Sequence, residues 1–559
     1  MTSGSIQEKG SRNALASALG YPDRIFVGGK IVTADAAFSI AQAVAVRGGR
    51  FLAVGSDAEI EELAGLDTVR TDLGGRTVLP GLIDTHVHVE MAGLGNFAVS
   101  FEGVNTVAEA LSRVSAQAAR TKPGGWVRGM MWHPVAQLKE SRYLTREELD
   151  RAAPDHPVCL PIGHFTMVNS KALEIAGITR DTPDPEGGII HHDPKTGEPN
   201  GLLEERAETM MHDLLPEWTH DERAAQLRDA MAQCNSHGLT AAVSAAVDPA
   251  TFRAHQDVWK SGTATLRISA MYAPTGSLNP SISPEEWEIF FSRIGAASDF
   301  GNEWLSFSAV KLQIDGGMTL RTAAMRDGYP DDPDYKGTTV IEAEPFERLV
   351  ATANRYGWRV GVHAVGDAAV DRALDAFEKV DAERSIRDRR FIILHGSLIR
   401  REQMERARRL GVRVDAQSVF LWEKAPIIAR YLGKNTADRA FPARSLIDVL
   451  GIDNVGQGTD FPINGLSPFV NIYVMVTRRD KKGDVYGPNE AISREEAIRL
   501  YTSSAARYAF AENLIGSIEP GKLADMVILS DDLLTVDVEK IKDIRALETV
   551  VGGETVYKR

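Results

Sequence analysis

Residues 77–89 read TVLPGLIDTHVHV, an apolar run that ends in two histidines, His86 and His88. Such a run reads as a buried strand. Residues i and i+2 of a strand point the same way, so both imidazoles can face one metal ion. Seven further runs follow: GLTAAVSAAV (238–247), ATLRISAMYA (264–273), LSFSAVKLQID (305–315), WRVGVHAVGD (358–367), FIILHGS (391–397), VRVDAQS (412–418) and NVGQGTDFP (454–462). Helical patterns lie between several of them. AAVDRALDAFEKV (368–380), for example, sets Ala, Val, Leu and Phe on one helical face. Eight strands alternating with helices predict an α/β fold centred on a (β/α)8 barrel, the architecture whose active sites sit at the C-terminal strand ends.

The flanks read differently. DRIFVGGKIVTAD (23–35) and AQAVAVRGGRFLAVGS (41–56) are β-rich, with Gly-Gly pairs at 28–29 and 48–49. At the other end, KLADMVILSDD (522–532) and ALETVVGGETVYKR (546–559) repeat the design around Gly552-Gly553. These are hairpin signals. They predict one small β-sandwich domain made from both termini, residues 23–80 and 514–559, around a barrel of residues 81–513. Residues 1–22 read as a polar arm. Residues from about 93 to 235 are too many for a βα connection and are rich in Trp, Pro, His and charge. They predict an insertion after the first barrel strand that covers the active site.

Composition sets the class. The chain has 559 residues, 43% hydrophobic and 25% charged, which excludes a disordered chain and suits a soluble enzyme. With 77 acidic and 63 basic residues the net charge is −14, which argues against nucleic acid or an anionic membrane as partner. No window approaches the roughly 20 apolar residues of a membrane helix. The first twenty residues lack a signal peptide's apolar stretch, so the expected location is cytoplasmic. Two cysteines, Cys159 and Cys234, cannot build a disulfide framework and read as buried thiols. The expected partner is a small-molecule substrate, and a homodimer would be ordinary for such an enzyme.

Four more polar groups interrupt or end the apolar runs: Lys311, His363, His395 and Asp460. Each alone has an ordinary explanation, as a strand-end histidine, a capping aspartate or an edge lysine. Together with His86 and His88 they make six polar groups in apolar strands, where burial without a partner is costly.

In that order the motifs PGLIDTHVH, VKLQIDGG, GVHAVGDAAVDRALDAFE, ILHGS, GTDFPI and GSIEPGKLADMVIL resemble the metal-dependent amidohydrolase superfamily. More narrowly, the chain resembles its YtcJ-like branch, which includes N-substituted formamide deformylases. The inserted segments DHPVCLPIGHFTMVNSKAL, TPDPEGGII and GEPNGLLEE match as well. The resemblance implies that His86, His88 and Asp460 bind one divalent metal and that His363 and His395 bind a second. It implies that Lys311, carboxylated by CO2, bridges the two. Histidine and carboxylate ligands suit zinc. The implied reaction is hydrolysis of an amide-type C–N bond in a small N-acyl or N-formyl compound. A metal-bound hydroxide attacks the carbonyl, and Asp460 serves as both ligand and general base. A carbamate, urea, lactone or ester could be cleaved by the same site. A mononuclear-metal deaminase and a metal-free scaffold are further alternatives.

In the insertion, His164 and Asn169 resemble the family's DGHxxxVNS stretch and are candidate substrate contacts, although Ile162-Gly163 stands where Asp-Gly is usual. Trp126 and Trp132 are candidate pocket walls or ordinary core residues. Arg321 either binds a substrate oxygen or pairs at the surface. His191 and His192 lie in a Pro/Gly/Asp-rich stretch and read as exposed loop residues.

Overall fold

The computed structural model describes residues 20–101, 103–130, 132, 134–162, 165–185, 188–212, 214–274 and 283–559. Residues 1–19 of the expected arm and the candidate His164 therefore lie outside the described residues. The chain forms two compact units. One combines the chain up to Val89 with Met231–Arg559, and the other is Glu90–Ala230.

In the first unit, each of the eight apolar runs is a strand: β1 (Leu82–Val87), β2 (Leu239–Val247), β3 (Arg267–Tyr272), β4 (Leu305–Gln313), β5 (Val360–Ala364), β6 (Ile392–His395), β7 (Arg413–Ala416) and β8 (Val455–Gln457). They form one parallel sheet in sequential order. The sheet curls until β1 meets the segment after β8. There the Asp460 N–H donates to the His86 carbonyl at 2.7 Å, and the His88 N–H donates to the Phe461 carbonyl at 3.0 Å. Every residue of β1 is buried, the polar Asp84, Thr85 and His86 included. Helices separate the strands. The one at Asp367–Glu383 buries Ala369, Val370, Ala373, Leu374, Ala376, Phe377 and Val380, the face that the spacing marks out. Val243, Met271, Ala309, Ile392 and Leu394 come from four strands and pack together with Tyr508, so the lumen is a filled core.

Strands from both termini share the second layer of this unit. Thr77–Pro80 pairs antiparallel with Met526–Leu529 in a six-stranded sheet. A four-stranded sheet contains Arg24–Val27, Ala43–Arg47, Arg50–Gly55 and Val69–Asp72. Phe26, Val44 and Phe51 of the smaller sheet meet Val78, Met526 and Val550 of the larger in one core, which makes a β-sandwich. Gly48-Gly49 and Gly552-Gly553 are tight hairpin turns with both φ angles positive, the condition for a type I′ turn. Gly28-Gly29 is not. The strands on either side of it belong to different sheets, so the pair is a corner between layers. Arg267 opens β3 and joins Asp525 in a buried two-bond pair, Nε–Oδ2 2.6 Å and Nη2–Oδ1 2.9 Å, tying barrel to sandwich.

The second unit contains a five-stranded sheet in the order Gly188–His192, Pro199–Glu205, Phe165–Val168, Val158–Pro161, Val127–Arg128. His191 and His192 are therefore strand residues, half-buried, and His191 Nε2 is 2.7 Å from Glu204 Oε2. The exposed-loop reading fails because the Pro and Gly residues that suggested it flank a hairpin strand. Cys159 and Cys234 are free and buried. Among the described residues no helix is long and apolar enough to cross a membrane.

Candidate metal centre

The end of β1 delivers His86 and, one residue past the strand, His88. Their Nε2 atoms lie 3.5 Å and 3.4 Å from one oxygen, Oδ1 of Asp460. The potential ligand atoms of these three residues all lie within 4.8 Å of one another. Next to them, the His395 ring at the end of β6 is 4.9 Å from the His86 ring, and the His363 ring on β5 is 4.4 Å from that of His395. Lys311 of β4 is 6% exposed, and its charge acts on His86, His363 and His395 alike. The barrel thus gathers all six residues singled out by their place in apolar strands.

Local sequence explains how such a tight cluster fits. In NVGQGTD both glycines leave room. A Cβ on Gly458 would sit 2.5 Å from the Cβ and N of His86, and one on Gly456 would sit 2.3 Å from an Asp415 oxygen. Asp460 and His395 both have left-handed backbone, φ 56° and 70°, a conformation that non-glycine residues rarely hold without support. For Asp460 the support is visible. Asp84 accepts from the Thr459 hydroxyl at 2.6 Å, the Thr459 N–H at 3.1 Å and the His86 N–H at 3.0 Å. Asn464 donates to the Thr459 carbonyl at 2.9 Å, and Lys424 Nζ donates to Asn464 Oδ1 at 2.8 Å and the Ile463 carbonyl at 2.6 Å.

The protonation states suit a cation. Burial pushes His86 and His363 far below the usual imidazole range and His395 down to about 3, so all three are neutral near pH 7. Burial acts to raise the Asp460 carboxyl, the hydrogen bond with His88 acts to lower it, and the net shift is downward, so it is ionised. Burial brings the Lys311 ammonium down to about 8 against the pull of Asp460 and Asp415. Both ring nitrogens of His86 are buried and lack an aligned hydrogen-bond partner. Two imidazoles and a carboxylate, the His86 imidazole neutral with unused nitrogens, are the donor set of a divalent metal site.

Several contributing residues were not singled out from the sequence: Asp84, Asp315, Asp415, Gln417 and Lys424. Asp315 accepts from the N–H groups of Val365, Gly366 and Ala324 at 2.8–2.9 Å and so fixes the turn after His363. The signal for Asp415 and Gln417 was present, since VRVDAQS carries Arg413, Asp415 and Gln417 at strand spacing.

The substrate candidates fare differently. Asn169 is 1% exposed and caps the helix Ser170–Ala176. Its Oδ1 accepts from Ala172 N and Val158 N, and its Nδ2 donates to the His156 carbonyl. In the described structure its side chain is used as a helix cap. Trp132 is 4% exposed and stacks on Phe101 at 3.8 Å, while Trp126 packs against the Cys159–Val168 core, so both wall the insertion's own interior. Arg321 pairs with Asp331 at 2.9 Å among Tyr329, Tyr335 and Tyr431.

Comparison with known proteins agrees with the geometry. The amidohydrolase family model matches residues 71–557. YtcJ of Bacillus subtilis (strain 168) is 30% identical over 546 residues, 96% of this chain and 99% of that protein. The N-substituted formamide deformylase of Arthrobacter pascens is 28% identical over 554 residues, 96% and 98% of the two chains. The crystal structure of an uncharacterized metal-dependent hydrolase from Pyrococcus furiosus superposes with a TM-score of 0.74 at 27% identity, covering 92% of this chain and 100% of that one. A barrel with these eight strands, a His-His-Asp cluster at its C-terminal rim and relatives of this length make the protein a metal-dependent hydrolase: the chain belongs to the amidohydrolase family.

Proposed function

We propose that the protein hydrolyses an amide-type C–N bond in a small N-acyl or N-formyl compound. The carrying observation is the convergence of His86 Nε2 and His88 Nε2 on Asp460 Oδ1 at 3.5 Å and 3.4 Å. The substrate class is supported by the likeness to a formamide deformylase along nearly the whole chain. His86, His88 and Asp460 would hold one divalent ion, with zinc the natural choice for two imidazoles and a carboxylate. His363 and His395 would hold a second, and Lys311 would join the two as a carbamate. Burial brings Lys311 down to about 8, which raises the share of free amine, the form that reacts with CO2; an ammonium cannot ligate a cation. Bound there, such ions would polarise a carbonyl and acidify a water molecule.

The chain's own residues do the rest. His86, a neutral donor, and His88 are fixed by the backbone bonds that close the barrel. Asp460 is ionised and turns Oδ1 to the imidazoles, which leaves Oδ2 to take a proton from water and return it to the departing nitrogen. Its left-handed backbone, braced through Thr459 and Asp84, holds that carboxylate still.

The test is a hydrolysis screen of zinc-replete enzyme against N-formyl amines, N-acyl amino acids, aryl amides, carbamates, ureas, lactones and esters. Turnover of the amide classes is expected to dominate, and a clear preference for esters or lactones would refute the assignment. Asp460→Asn is expected to stay folded and lose at least about 100-fold in kcat. An Asp460→Asn variant of wild-type activity would remove Asp460 from the proton path.

A further inference from the structure

One carboxylate and one amide connect the two halves of the ligand set. Asp415 and Gln417 sit two residues apart at and just beyond the end of β7, both 0% exposed. Asp415 Oδ2 lies 3.2 Å from His86 Nδ1 and accepts a hydrogen bond from Gln417 Nε2 at 3.0 Å. Gln417 Oε1 is 2.8 Å from His395 Nδ1. The other oxygen of Asp415 accepts from the Thr85 hydroxyl at 2.6 Å. Gly456, on the strand between β7 and β1, has no side chain because that carboxylate occupies the space.

The proton inventory follows from these contacts. Gln417 turns its NH2 toward Asp415, where the backbone carbonyl of Asp415 also accepts at 3.1 Å. Only its oxygen is then left for His395, and an amide oxygen accepts but does not donate. His395 Nδ1 must therefore carry the hydrogen, which makes its Nε2 the lone pair. At His86 the contact with Asp415 is a charge contact rather than an aligned hydrogen bond. A carboxylate there still draws the ring hydrogen to Nδ1 and leaves Nε2 free beside Asp460.

We propose that Asp415 and Gln417 are positioning residues that set the tautomers of His86 and His395 and thereby the affinity of both metal positions. Partners of this kind behind metal-bound histidines typically contribute about 10- to 100-fold in affinity. The proposal rests on the metal reading above and is independent of which bond the enzyme cleaves.

The experiment is a zinc titration of the metal-stripped full-length protein against a chromophoric chelator, with wild type, Asp415→Asn and Gln417→Met. Gln417→Met is expected to weaken one zinc equivalent about 10- to 100-fold and leave the other nearly unchanged. Asp415→Asn, which also loses the charge next to His86, is expected to weaken both. The visible d–d spectrum of cobalt-loaded Gln417→Met is expected to shift while its Tm does not, a signature that general loosening of the fold would not give. Wild-type zinc constants and an unshifted cobalt spectrum in folded Gln417→Met would overturn the proposal. So would the absence of zinc binding by the wild type. If Asp415→Asn does not fold, Gln417→Met decides alone. An enzyme inactive in the hydrolysis screen that still shows these zinc shifts loses the substrate assignment and keeps this one.

Discussion

Gly458→Ala is the smallest change that should damage the centre without replacing a ligand. The new Cβ would lie 2.5 Å from the Cβ and backbone N of His86. Ordinary contact begins at 3.4 Å, so the overlap is about 0.9 Å. No flexible side-chain tip is available to yield, because the clash is with the backbone of β1. The strain of forcing a methyl into a packed interior is about 1–3 kcal/mol, a loss of a few °C in Tm. The larger effect is local. Relieving 0.9 Å at the β8–β1 seam moves His86 against Asp460, and their contact, Nε2–Oδ1 at 3.5 Å, is the frame of the centre. A displacement of about 1 Å at a reacting site costs on the order of 100-fold. The assay is zinc affinity of stripped protein, read with catalytic rate on any substrate found. Gly465→Ala, seven residues on, is the control, since its Cβ would meet nothing within 4 Å. Gly458→Ala binding zinc as tightly as Gly465→Ala, with an equal Tm, would refute the seam as the device that positions His86.

Three more expectations concern charge and burial. Arg267→Met leaves Asp525 buried without its partner and should cost about 3–5 kcal/mol, read as a fall in Tm. An unchanged Tm would mean that the barrel and the sandwich do not depend on that pair. His255 is buried with no partner on either ring nitrogen, and burial lowers it to about 4. The unfolded chain takes up that proton near 6.5, so the stability is complete above pH 6.5 and is lost as pH falls to 4, about 3 kcal/mol in all. His255→Leu should therefore lose less Tm between pH 7.5 and pH 5 than the wild type, and equal losses would contradict this (the two pH values are about one unit above and 1.5 units below 6.5). Lys311→Ala should bind fewer metal ions per chain by elemental analysis, and full occupancy would count against a bridging role.

The fold was legible because eight short, mostly apolar runs alternate with helical patterns, the rhythm of a parallel barrel. The six polar interruptions were legible for the same reason, since each is costly in an apolar strand without a partner. What pairing decides was not. Gly28-Gly29 looks like any hairpin turn, and only the register shows that its strands part into two sheets. The histidines at 191 and 192 occupy a five-residue strand, too short for its alternation to outweigh the surrounding Pro and Gly. Asp415 meets Thr85 across 330 positions, and spacing cannot show a contact of that range. Asn169 and Trp132 were ambiguous in the sequence because a cap and a stacked core ring use the same residue types as a binding pocket.

The proposed chemistry requires His86, His88 and Asp460 to hold one divalent metal jointly. An anomalous difference map collected at the zinc edge, from crystals of zinc-loaded protein, tests it most directly. A peak about 2.0–2.2 Å from His86 Nε2, His88 Nε2 and an Asp460 carboxylate oxygen is the predicted result. A featureless map at this position, or a peak that engages none of the three, would contradict it.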